Sequence, residues 1–270
     1  MKTRYSHAEG SGPFRADQLR DGDRYELSNG HPIECLPAGR DHAGANLTAG
    51  AAIDSDPDVE WAGVAAGFSP EPKTLHAPDV AVAAPGSESG WLPGAPPLAV
   101  EYASVGQDED KLQEKIADLL AAGTRLIWVV RLVGPRRVEV YEPGKAVRTV
   151  SAGEELHAPG ILRNPVPVRA LFDREAAHEV TLRNLLQRRG YESLEVALEE
   201  AETRGEARGE ARGEARGRAA AILHLLDARG IDTSDEIRDR IRACEEIELL
   251  DRWIVRAGTA ASAAEVVAAE

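Results

Sequence analysis

The sequence predicts an α/β domain built on a mixed sheet, followed by a helical C-terminal extension. Three observations point there. Apolar, β-rich segments recur at PDVAVAA (78–84), PLAVEYAS (97–104), RLIWVVR (125–131) and RRVEVYEPG (136–144). One amphipathic stretch, DEDKLQEKIADLLAAG (108–123), lies between the second and the third. From about residue 176 the spacing becomes helical.

Residues 1–23 are polar and mixed, an arm without a period. RYELSNGHPIECL (24–36) predicts a β-hairpin: Asn29-Gly30 suits a tight type I′ turn, and short alternating segments flank it. Residues 37–77 are rich in Ala, Gly, Asp and Pro and predict only weak, short elements. The strand at 78–84 is followed by a Gly/Pro/Ser loop. In the helix at 108–123, Leu112, Ile116 and Leu119 mark the apolar stripe and Gly123 is a C-terminal stop. RLIWVVR is expected to be a central strand, and RRVEVYEPG the next one, ending in a turn. Pro-rich, β-like remnants over 145–175 close the core, which is expected to span 24–175.

Beyond it, HEVTLRNLLQRRGYESLEVALEEAE carries apolar residues at helical spacing. RGEA then occurs at 204–207, 208–211 and 212–215, with RGRA at 216–219. A four-residue period is close to one helical turn. Each interior Gly, however, costs about 1 kcal/mol relative to Ala, and the i, i+4 pairs are Arg–Arg and Glu–Glu, which repel. The expectation for 176–218 is a solvated, partly helical spacer. AAAILHLLDARG (219–230) reads as a short helix stopped by Gly230, TSDE (233–236) as a capping box with Thr233 as cap, and EEIELLDRWIVRA (245–257) as a further helix. Residues 219–270 are thus expected to form a small bundle or a partner-binding hairpin.

Bulk properties narrow the function. At 270 residues and 43% hydrophobic, the chain can bury a core. No apolar run approaches the roughly 20 residues of a membrane span, and MKTRYSHAEG predicts no secretory leader. Cys35 and Cys244 are the two cysteines, far apart, so a reducing, cytoplasmic setting is expected. The net charge is −14, with 18 basic and 26 acidic residues in 1–175 and 14 and 20 in 176–270. Both parts are acidic, which argues against strong non-specific binding of nucleic acid. A phosphate substrate must be met by a local basic patch or a bound cation. The seven histidines lack metal-ligand spacing, no glycine-rich phosphate loop follows a strand, and aromatics at 4% give little for base stacking.

One residue breaks the pattern. In PLAVEYAS, Leu98, Val100 and Tyr102 share one strand face, and Ala99, Glu101 and Ala103 the other. A carboxylate among alanines in an apolar strand is costly unless paired or metal-bound. Asp79, at the start of the preceding strand, offers a second carboxylate. Two such groups on neighbouring strands make a hard-oxygen site for Mg²⁺ or Mn²⁺. Lys115 lies on the shoulder of the helix stripe, about 60° from Leu112 at about 100° per residue. Alone it is an ordinary snorkelling lysine. With the two carboxylates it completes a minimal kit for phosphodiester hydrolysis.

The order of these segments, RYELSNG, APDVAV, LAVEYAS, KLQEKIADLLAAGTRLIWVVR and RRVEVYEPG, resembles the Uma-two family of restriction-endonuclease-type proteins, grouped with the PD-(D/E)xK nucleases. The resemblance covers about 20–172 and is densest over 77–144. It implies a restriction-endonuclease-like core and Mg²⁺- or Mn²⁺-dependent cleavage of nucleic acid, DNA foremost. Asp79 and Glu101 would hold the metal, with the Tyr102 carbonyl as a third ligand. Lys115 would replace the superfamily lysine, since Ala103 occupies its usual place. Glu26 matches a glutamate of the family's N-terminal hairpin, and Ser104 begins its Ser-Pro-Ser stretch, replaced afterwards by Val105-Gly106. The segment after His42, a long amphipathic helix in the family, reads here as short and weakly helical. Lys111, Arg131 and Arg136 are candidate phosphate contacts. The competing expectation is a catalytically silent nuclease-fold binding module, with a homodimer or a protein partner held through the C-terminal helices.

Overall fold

The computed structural model describes residues 12–86, 90–106 and 108–268, so residues 1–11 of the N-terminal arm lie outside the described residues. The chain divides into two compact units, Met1–Ser193 and Leu194–Glu270.

The first unit opens with the hairpin β1 (Tyr25–Ser28) and β2 (His31–Glu34). Asn29 at φ 49° and Gly30 at φ 79° supply the two positive values of a type I′ turn. Then come α1 (Arg40–Asp54), β3 (Trp61–Val64), β4 (Phe68–Ser69), β5 (Val80–Ala83), β6 (Leu92–Pro93), β7 (Leu98–Ala103) and α2 (Glu109–Ala121). The unit closes with β8 (Leu126–Arg131), β9 (Arg137–Tyr141), β10 (Arg148–Ser151), β11 (Glu155–Leu156), β12 (Val166–Pro167) and α3 (Arg174–Arg188).

Six strands form the central sheet in the order β10-β9-β8-β7-β5-β3. Within this sheet only β7 and β8 pair in parallel, and α2 makes the crossover that such a pair requires. The other neighbours run antiparallel. The alternation expected for 97–104 holds. Leu98, Val100 and Tyr102 enter the main core with Trp128, Val130, Val80 and the helices α1 and α3. Ala99 and Ala103 pack with Ile127, Val129 and the Leu112, Ile116 and Leu119 stripe of α2. Glu101 therefore faces α2. Asp108 caps that helix by accepting from the Lys111 N–H, and Gly123 at φ 110° ends it.

Two expectations in this unit need correction. Residues 40–54 form a full helix, not a weak element. Its sequence, RDHAGANLTAGAAID, buries Ala45, Ala49, Ala52 and Ile53 against the sheet. Small residues permit the close approach: a Cβ on Gly50 would sit 3.0 Å from Val64 Cγ2. Tertiary packing, not amphipathic contrast, makes this helix. Second, the unit extends to Ser193 and not to 175. Helix α3 packs Ala176, Ala177 and Val180 into the main core. Arg188 latches it there by donating to the carbonyls of Asp54, Ser55, Asp56 and Val59 around the C-terminus of α1.

The second unit contains α4 (Leu194–Ala228), α5 (Asp235–Ala243), α6 (Ile247–Thr259) and α7 (Ala263–Val266). The RGEA repeat is continuous helix within α4, so the partly helical spacer is also corrected. The C-terminal end of α4 is anchored by Ala215, Ala219, Ile222 and Leu226, which pack with Ile241, Leu250 and Trp253. Once that end is fixed, each further residue extends an existing helix and avoids the nucleation cost. Ser234, not Thr233, caps α5, accepting from the Ile237 N–H.

Candidate active site

Two neighbouring strands and one crossover helix bring the charged groups together. The register Val80↔Val100 sets Asp79, one residue before β5, level with Glu101 on β7. The Asp79 carboxylate is held on three sides. Oδ1 accepts from His42 Nε2 at 2.8 Å and Asn46 Nδ2 at 2.9 Å, and Oδ2 accepts from the Tyr102 N–H at 2.8 Å. Burial opposes its charge, but the His42 hydrogen bond leads the groups that outweigh it, and the carboxyl lies below its usual range.

Glu101 is 6% exposed. Lys115 Nζ lies 2.9 Å from its Oε1, so this buried oxygen is paired with the ammonium and, among the described residues, with no other donor. Burial pushes this carboxyl up to about 8; Lys115 opposes the rise, and Asp79 and Glu26 add to it. Burial works against the Lys115 charge too, yet Glu101 and Glu26 overcome it and hold the ammonium well above its ordinary range. Lys115 also donates to Glu26 Oε1 at 3.1 Å and to the Ala77 carbonyl at 3.0 Å. Its three N–H groups thus face three acceptors.

Glu26, from β1, is buried and continues the cluster. Burial raises its carboxyl, but Lys115 and His76 more than compensate and bring it below the usual value. His76 is 1% exposed and bridges Glu26 Oε2 at 3.1 Å and Asp118 Oδ2 at 3.0 Å. Ser28 Oγ reaches the same Asp118 oxygen at 2.7 Å and Glu114 Oε1 at 3.0 Å. Glu26 and Ser28, two residues apart on β1, thereby dock the hairpin on Glu114, Lys115 and Asp118 of α2. Cys35 Sγ sits 3.7 Å from Glu26 Oε1, and burial pushes its thiol up to about 12.

Of the sequence candidates, Asp79, Glu101, Lys115 and Glu26 therefore meet in one cluster. Tyr102 contributes its backbone N–H there, while its hydroxyl donates to the Leu171 carbonyl at 2.6 Å on the opposite sheet face. The three rim candidates stand apart. Arg131 is held by Glu109 at 2.7 Å and Glu139 at 2.7 Å, so its guanidinium is already paired. Lys111 is largely exposed and 3.4 Å from Asp108. Arg136 lies over the Phe172 ring. The sequence reading did not find His42, Asn46, Ser28 or Asp118. Proximity to Asp79 in the chain is the one signal His76 carried.

The donor set can be tested against a divalent cation. Among the described residues, no three His, Cys, Asp or Glu side chains form a ready metal cage. This is compatible with a Mg²⁺-type site, which typically uses one or two carboxylates and keeps several waters. Asp79 and Glu101 supply the two carboxylates, and Oε1 of Glu101, buried with Lys115 as its one partner among the described residues, keeps acceptor capacity that a cation would use. Counted as ionised, Glu26, Asp79 and Glu101 against Lys115 carry two excess negative charges. The residues fit.

The family model of Uma2, described as "Putative restriction endonuclease", matches residues 14–166. The chain belongs to this family. All four clustered candidates fall inside the matched span. The fold agrees with a solved structure described as "a putative nuclease belonging to DUF820 from Anabaena variabilis ATCC 29413". That likeness has a TM-score of 0.50 at 20% identity, over 60% of this chain and 99% of the other, and shows the shared fold. Comparison with curated proteins gives no match. Family membership supports a nuclease function.

Proposed function

We propose that this Uma2 protein is a divalent-cation-dependent endonuclease that hydrolyses phosphodiester bonds in DNA, with Mg²⁺ or Mn²⁺ as the cation. The observation that carries the reading is Glu101, buried on an alanine-flanked strand face beside Asp79, with the Lys115 ammonium as the one partner of its Oε1 among the described residues. Asp79 and Glu101 would hold the cation, with the Tyr102 carbonyl as a third ligand. When bound, the cation would supply a lowered pKa for its water and charge neutralisation at the scissile phosphate. Lys115 supplies a fixed positive charge next to the reacting phosphate. Glu26 orients Lys115 from the hairpin side. Lys111 and Arg136 are the proposed phosphate contacts at the rim; Arg131, paired twice, braces Glu109 and Glu139 instead.

One observation favours the alternative, a catalytically silent binding module. The basic rim is thin, because Arg131 is spent on glutamates and Lys111 is close to Asp108. In that reading the C-terminal helices recruit a protein partner or a second copy, and every residue from 198 to 214 of α4 is exposed. Supercoiled plasmid incubated with Mg²⁺ or Mn²⁺ separates the two. The wild type is expected to nick or linearise it, and E101Q and D79N to be inactive. Retention of full activity by either variant would remove the site assignment. DNA binding by a wild type that cleaves under neither cation would support the silent module.

A further inference from the structure

Asp79 has almost no acceptor capacity left. An ionised carboxylate offers about four lone-pair positions. Oδ1 uses two, on His42 and Asn46, and Oδ2 uses one, on the Tyr102 amide. One position remains, on Oδ2. His42 and Asn46 stand at i, i+4 on α1, so they reach Asp79 from one helix face.

Asn46 is the informative partner. It is 7% exposed. Its amide orientation is settled by Asp79: turned over, two acceptor oxygens would face each other. With Nδ2 on Asp79, its own Oδ1 is buried without a hydrogen-bond partner. A buried acceptor is normally satisfied by protein or water. The side chain thus grips a proposed cation ligand with one end and presents an unused acceptor with the other. A Mg²⁺-type cation retains waters whose hydrogens point outward and need acceptors of this kind.

We propose that Asn46 is a positioning residue of the cation site: its N–H restricts Asp79 to coordination through Oδ2, and its Oδ1 accepts a hydrogen bond from a water of the hydrated cation. This rests on the cation reading of Asp79 and Glu101. Partners that orient a metal ligand are worth roughly 10–100-fold in metal affinity.

The test is direct Mn²⁺ binding to the full chain without nucleic acid, followed by the loss of free-Mn²⁺ paramagnetic resonance signal. Wild type, N46L and N46D are compared, with melting in EDTA as the check on folding. N46L removes both functions at similar size, and its affinity is expected to fall roughly 10–100-fold. N46D keeps an acceptor but exchanges the N–H for a carboxylate oxygen against Asp79 and adds a negative charge, so the deciding comparison is N46L with wild type at matched folding in EDTA. Equal affinity of N46L and wild type overturns the proposal. If wild type fails to bind Mn²⁺, the cation reading itself falls, an outcome separate from a bound wild type with unaffected variants.

Discussion

Replacing Lys115 by methionine removes the one cation at the centre of three buried carboxylates while filling similar space. Lys115 Nζ lies 2.9 Å from Glu101, 3.1 Å from Glu26 and 3.0 Å from the Ala77 carbonyl. Deleting one partner of a buried ion pair typically costs about 3–5 kcal/mol. For a unit of this size each 1 kcal/mol moves the melting temperature by about 2–4 °C, so K115M is expected to melt roughly 6–20 °C lower at pH 8 in EDTA. The pH dependence has a definite sign. Glu101 already has a carboxyl raised to about 8 by burial, and Glu26 lies below its usual value only because Lys115 and His76 outweigh burial. Without Lys115 both move upward. Between the unfolded value, about 4.3, and the raised folded values, the folded variant then binds more protons than the unfolded chain. Its stability falls as pH rises through that window. At pH 5 both carboxyls gain protons and the deficit narrows. Melting curves at pH 5 and pH 8 test this. A K115M protein that melts with wild type at pH 8, or that loses more at pH 5 than at pH 8, would refute the account of the lysine as counter-ion.

Two further outcomes follow from other parts of the chain. Arg131 hydrogen bonds lead the effects that hold the Glu109 carboxyl down at about 2. As a depressed acid, its contribution to stability is present above the unfolded value and is lost as pH falls towards 2. In R131A the Glu109 resonance is expected to titrate near about 4.3, and an unshifted NMR titration would show that the pair does not hold in solution. In α4, a Cβ on Gly205, Gly209 or Gly213 meets nothing within 4 Å. The triple alanine variant is therefore expected to gain about 1 kcal/mol of helix stability per site, seen as higher helical ellipticity on heating, and a loss of helicity would refute the reading of this segment as exposed helix.

What the sequence showed depended on how local the cause was. The face of Glu101 follows from period-two alternation in eight residues, and the hairpin from Asn29-Gly30, whose positive φ values the structure shows. Lys115 was accessible because its position relative to Leu112 is simple helix geometry. Helix α1 was not, because its burial runs through alanines and a glycine that signal little alone and matter only against β3 and the sheet. With α1 unrecognised, His42 and Asn46 had no common face. Asp118 and Ser28 lie 90 residues apart in sequence, and nothing in either segment names the other. The RGEA segment failed for a different reason. Its local penalties were counted correctly, but the anchored end that carries the helix lies further along the chain.

The saturation of Lys115 has a kinetic side. An ammonium with all three hydrogens engaged has none to offer a newcomer, so any event that needs it must first release a contact. The three holders come from distinct places: β7, the segment before β5, and the N-terminal hairpin. Only the hairpin is tied to the sheet through side chains and a short edge bridge, Leu27↔Leu75, outside the six-stranded ladder. Glu26 thus reaches the lysine from the two-stranded hairpin and not from the six-stranded sheet, so that contact depends on how the hairpin is docked.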